Sequence, residues 1–135
     1  MNVPFVVPFY AGIFTLIYIV LTVRVIALRN SHRVSFGTGG DPVVERAVRI
    51  HGNFIEYVPL ALILLGFMEL QHFSRYLLHI LCLLLLLGRL SHIAGLSIGN
   101  GVNIWRGLGV VLTVTVLLIA AILLIWEFFL VLPTT

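Results

Sequence analysis

Four long apolar runs, at about 5–28, 42–70, 74–97 and 104–132, take up nearly all of this 135-residue chain. Each reaches the ~20 residues that an α-helix needs to cross the hydrocarbon core of a bilayer. Backbone polar groups in lipid have no water to bond. Continuous apolar runs therefore satisfy them internally as helices, not as the strands of a barrel. The pattern predicts an all-α membrane protein: one transmembrane domain over residues 1–135, its four helices forming an antiparallel left-handed bundle. A hydrophobic content of 61% and a mean hydropathy of +1.17 exclude a soluble domain.

The net charge of +3 comes from eight arginines and no lysine. In so apolar a chain this excess speaks for membrane topology and anionic ligands, not for nucleic acid. Arg24, Arg29 and Arg33 surround the first connection, with Arg46 and Arg49 just beyond it. The positive-inside rule then places the 29–41 loop in the cytoplasm and both termini on the periplasmic side. The first run has no preceding basic residue and no small-residue cleavage site, so it reads as a permanent span. The lone Cys82 lies in a leucine run and reads as a buried packing residue.

The second run carries the polar anomaly. At ~100° per residue, Arg46, Arg49, Asn53 and Glu56 fall within an arc of roughly 80°. A charge at membrane depth costs at least ~2.5–3.5 kcal/mol, so such residues face protein or water. Asp41-Pro42 reads as an N-cap followed by proline at the first helical position, and Pro59 should bend the helix where the stripe ends. Ser74 is a plausible N-cap for the third helix, after a turn short enough to make helices two and three antiparallel neighbours. Gly95, Ser97, Gly99, Asn100, Gly101 and Asn103 then break the pattern into a second loop.

With this topology Arg29, Arg89, His92 and Arg106 share one layer with the stripe. Arg29, Arg49, Arg89 and Arg106 exceed what Glu56 can neutralise, so the pocket should attract an anion. Glu56 would bind an ammonium or orient an arginine, and Asn53 suits a peptide-like amide. A lipophilic partner could enter laterally from membrane lipid. Simpler readings stand beside these: Arg46 as an interfacial snorkeller, Tyr57 as aromatic packing, His51 as an intersubunit or core hydrogen-bonding residue, His92 as a hydrogen-bonded core histidine, Glu69, Arg75 and Glu127 as interface anchors. No spaced ligand set supports a metal site. A channel is weaker still, since the outer halves of the helices lack pore-lining polar residues.

The segment Glu45-Arg46-x-x-Arg49-x-x-x-Asn53-x-x-Glu56-Tyr57-x-Pro59 resembles the signature of the MAPEG family, the membrane-associated proteins in eicosanoid and glutathione metabolism. Arg33-Val34-Ser35 and Gly88-Arg89-Leu90-x-His92 support the likeness, which is greatest to the small bacterial inner-membrane branch. The resemblance implies a homotrimer that binds glutathione between subunits near the cytoplasmic face, for transfer to lipophilic electrophiles or reduction of lipid hydroperoxides. By the same resemblance Arg49, Asn53, Glu56 and Tyr57 would contact glutathione, and Arg29 would hold one of its carboxylates. Arg89 and His92 would belong to the same site, and Arg106 would stabilise the thiolate. Leu96 stands where a tyrosine often occurs in the family, and Gly52 where some members carry a larger polar residue. A non-catalytic protein of the same fold, binding lipid or an anionic ligand, is the second expectation.

Overall fold

The computed structural model describes residues 4–98 and 103–131, and within them the chain is four helices: α1 (Val6–Ser31), α2 (Pro42–Leu70), α3 (Arg75–Ile98) and α4 (Ile104–Val131). All four are long and apolar enough to cross a membrane. The expected loop glycines Gly99 and Gly101, Asn100 and the last expected helical residue, Leu132, lie outside the described residues. Helix α1 runs three residues beyond its expected end at Leu28. Its last turn closes through the His32 N–H, which donates to the Leu28 carbonyl at 2.9 Å.

Packing is closest between α3 and α4. Helix α2 lies against α1, α3 and α4, whereas α1 and α4 do not pack on each other among the described residues. Glycines set the α3–α4 spacing. A Cβ added to Gly109 would stand 2.6 Å from both the Cβ and the backbone N of His92. One added to Gly88 would meet the Leu112 Cβ at 3.0 Å and the Thr113 Oγ1 at 3.1 Å. Small residues of this kind let helix backbones approach in a bilayer, where burial of apolar surface gives no drive to pair. The core between the helices is apolar: Phe14 from α1, Ile50, Phe54 and Leu65 from α2, Leu78, Leu81 and Cys82 from α3, Val116 and Ala120 from α4. The outward faces stay apolar and exposed, with Leu16, Val20 and Val23 on α1 and Val111, Leu118 and Ile122 on α4, as lipid contact requires.

Polar side chains tie the helix ends. Asp41 caps α2 as expected, its Oδ1 accepting from the Val43 and Val44 N–H groups at 2.8 and 3.2 Å. Its other oxygen pairs with His32 Nδ1 at 2.6 Å, closing the α1–α2 loop at its base. Glu69 is more than an interface anchor. From the last turn of α2 its carboxylate accepts from the N–H groups of Phe5 and Val6 at 2.6 Å and of Val7 at 2.8 Å. These are free donors at the start of α1, where Phe5 in the cap position has no side-chain acceptor to offer. Helix α1 thus receives its N-cap from another helix. His51 takes the intraprotomer role. The Thr22 hydroxyl donates to the Tyr18 carbonyl at 2.9 Å, leaving its lone pairs for His51 Nε2 at 3.0 Å. His79 Nδ1 lies 3.3 Å from the Tyr10 hydroxyl, a second polar tie between α1 and another helix.

Candidate functional site

At the arginine-rich end, the first turns of α2, the last turn of α3 and the first turn of α4 enclose a cleft of about 310 Å³ lined by Pro42, Glu45, Arg46, Arg49, Leu96 and Arg106. Arg46 and Arg49 are three apart, so the helical repeat puts them on one face. Arg106 is brought opposite them by the start of α4. The Asn103 Oδ1 accepts from the Arg106 N–H at 2.9 Å while its Nδ2 donates to the Gly95 carbonyl at 2.7 Å. The Ser91 hydroxyl donates to the Trp105 carbonyl at 2.7 Å. One asparagine therefore caps α4 and fastens it to α3.

The lining carries three guanidinium groups and one carboxylate, +3 − 1 = +2. That carboxylate belongs to Glu45, whose Oε1 accepts from Arg49 Nε at 3.2 Å, a pair spaced i,i+4 along α2. Both side chains are exposed, and pairs of this kind contribute only ~0–1 kcal/mol. Glu45 consequently leaves the cleft electropositive. A group bearing one or two negative charges is what such a lining retains.

One turn further along α2, about 6 Å by the helical rise, lies a second cluster. Arg89 of α3 is 1% exposed. Its Nη2 donates to Asn53 Oδ1 at 2.5 Å, its Nη1 donates to Thr113 Oγ1 of α4 at 3.3 Å, and its guanidinium sits 5.5 Å from the Tyr57 ring centroid. A buried charge costs several kcal/mol in desolvation. Two charge-assisted bonds of ~1.5–3 kcal/mol each and a cation–π contact of up to ~2 kcal/mol are of the size needed to offset it. Thr113 is pre-set for this, because its hydroxyl hydrogen goes to the Gly109 carbonyl at 2.8 Å and its lone pairs are left for Arg89.

The expected residues do not form one pocket in the protomer. Arg49 and Arg106 line the cleft. Asn53, Tyr57 and Arg89 form the neighbouring cluster, with Arg89 inside the protomer and not on an open wall. His92 is buried, its backbone pressed against Gly109. Glu56 is exposed on α2 and Arg29 is half-buried on α1, and neither belongs to the cleft lining. Arg46 lines the cleft, and Arg49 pairs with Glu45. The Glu45–Arg49 spacing was a readable signal for that pair. Thr113 had none, since a threonine in an apolar run has no partner visible in the sequence. A separate apolar hollow of about 370 Å³ between α1 and α2, lined by residues including Phe14, Tyr18, Phe54, Ile55 and Leu62, offers room for a lipophilic group.

Comparison with known proteins agrees with this architecture. The model of the MAPEG family matches residues 7–126. The inner membrane protein YecN of Escherichia coli strain K12 is 40% identical over 86 residues, 64% of this chain and 66% of that protein. The YecN of Escherichia coli O6:H1 strain CFT073 matches to the same extent. The matched region thus spans just under two thirds of these relatives' own length. No solved structure matches. Four spanning helices and a family match over most of its length establish that this chain is a membrane protein of the MAPEG family.

Proposed function

We propose that this protein is a glutathione-dependent transferase or peroxidase of the inner membrane, acting on lipophilic electrophiles or lipid hydroperoxides as a homotrimer. In this reading the arginine-rich end faces the cytoplasm and both termini face the periplasm. The observation that carries it is the cleft in which Arg46, Arg49 and Arg106 face one another with a single exposed carboxylate among them. Glutathione brings carboxylates, amides and a thiol. Arg46 and Arg49 take the carboxylates, Asn53 and Tyr57 the peptide, and Arg106 the sulfur. A guanidinium beside a thiol favours the thiolate and lowers its pKa from the usual ~8.5, which makes the nucleophile available near neutral pH. Arg29 and Glu56 stand outside the protomer's cleft, and association of subunits supplies a reason for both: a neighbour's α1 and the outer face of α2 complete the site.

A stopped-flow ultraviolet titration of the purified protein with glutathione tests this. Thiolate absorbance should rise on binding and vanish in Arg106→Ala, while Asn53→Ala should bind more weakly yet still ionise the thiol. No detectable binding would overturn the proposal. A second reading, a non-catalytic binder of lipid or an anionic ligand, is favoured by Leu96, which presents an apolar side chain to the cleft and not an acid or base. Binding without thiolate or turnover would select it.

A further inference from the structure

We propose that Arg89 is a positioning residue that fixes the side-chain amide of Asn53 with its oxygen inward, so that the site presents an N–H donor and not an acceptor at this position. The inference rests on the proposed function only in naming glutathione as the probe of that donor.

Arginine has donors and no acceptor, so an asparagine bonded to it must turn its oxygen toward the guanidinium. The Asn53 Oδ1 accepts from Arg89 Nη2 at 2.5 Å, and its Nδ2 makes no hydrogen bond among the described residues, on a side chain that is half-buried. An unheld amide could flip and offer either polarity at little cost. Here the guanidinium is itself restrained. It is held by Thr113 on one side and lies against Tyr57 on another, at 1% exposure. Thr113 is itself oriented by its bond to the Gly109 carbonyl. The direction of every hydrogen is thereby set along the chain Gly109, Thr113, Arg89, Asn53. The donor that results selects a carbonyl or carboxylate oxygen of the ligand and rejects an amine or amide N–H. Arg89 itself has no open path to that ligand, and it acts through Asn53.

The test uses full-length protein labelled with 15N-asparagine in nanodiscs, reading the Asn53 side-chain amide by NMR and glutathione binding by calorimetry. The Asn53 amide pair should be distinct from the solvent-exposed asparagine signals before any ligand is added, and should move to the free-amide region in Arg89→Lys, whose ammonium lacks the planar fork that reaches Thr113 and Asn53 from two separate nitrogens. Glutathione affinity should fall about tenfold in Arg89→Lys, with no further fall when Arg89→Lys is added to Asn53→Ala, because a residue acting through Asn53 has nothing left to position. Asn53→Asp keeps a partner for Arg89, so it should melt no lower than the parent protein, yet bind at least tenfold more weakly because its outward atom is now an acceptor. An Asn53 signal unchanged in Arg89→Lys, additive losses in the double variant, or Asn53→Asp binding like the parent would each overturn the inference. An amide pinned by Arg89 in a protein that does not bind glutathione would sustain the inference and overturn the proposed function instead.

Discussion

Gly95 of α3 lies directly against the backbone of Arg106 in α4: a Cβ at Gly95 would stand 2.5 Å from the Arg106 amide nitrogen and 2.9 Å from its Cα. The glycine is helical, so its role is space and not an unusual backbone conformation. It allows the first turn of α4 to sit on α3, and that contact sets where the Arg106 guanidinium emerges. Gly95→Ala should push the start of α4 away at a cost of ~1–3 kcal/mol and reduce anion binding in the cleft. Gly107→Ala, where an added Cβ meets nothing within 4 Å, should leave binding unchanged. Glutathione titration of the two variants alongside their melting curves checks the pair.

Glu69 supplies the N-cap of a helix more than sixty residues earlier in the chain. Glu69→Ala removes an acceptor shared by three N–H groups, and an equivalent local cap is absent from Phe5. The loss should be ~1–3 kcal/mol. Hydrogen exchange should localise it to the Phe5, Val6 and Val7 amides while the amides of α4 stay protected.

The Asp41 cap gives the α1–α2 loop a pH dependence. The Val44 N–H, and after it the His32 side chain, hold the Asp41 carboxyl below its ordinary value of 3.8. A depressed pKa means that the capped carboxylate stabilises the fold above the ordinary carboxylate range, and that this contribution fades as pH falls through the depressed value. Unfolding followed from pH 7 down to about pH 3 should therefore show a stability loss in the parent protein that is smaller in Asp41→Asn. Equal slopes in both would contradict the assignment.

Thr113 tests the buried guanidinium from its other side. Thr113→Val keeps the side-chain shape and leaves Arg89 Nη1 without its acceptor, which should cost ~1–3 kcal/mol. Thr15→Val, on an exposed face of α1 where the hydroxyl only returns to the Ala11 carbonyl, should change stability by no more than ~0.5 kcal/mol. Thermal denaturation in one detergent distinguishes the two.

The amino-acid sequence alone made the four spans, the Asp41 cap, the burial of Cys82 and the family legible, because length, apolar continuity and a spaced motif are properties of the chain read one segment at a time. It also brought Arg49 and Arg106 to the same end of the bundle. Only the tertiary structure divided the polar layer into an open cleft and a buried cluster. Arg46 and Arg89 are both arginines near a helix end, and periodicity treats them alike. Their difference arises because Gly88, Gly95 and Gly109 let α3 and α4 close together beside Arg89, whereas Arg46 lines a cleft left between the first turns of α2 and the ends of α3 and α4. Glu69 and Thr113 were hidden for the same reason. Their partners lie on other helices, and which helix faces which is decided by packing between backbones, a relationship that no single segment contains.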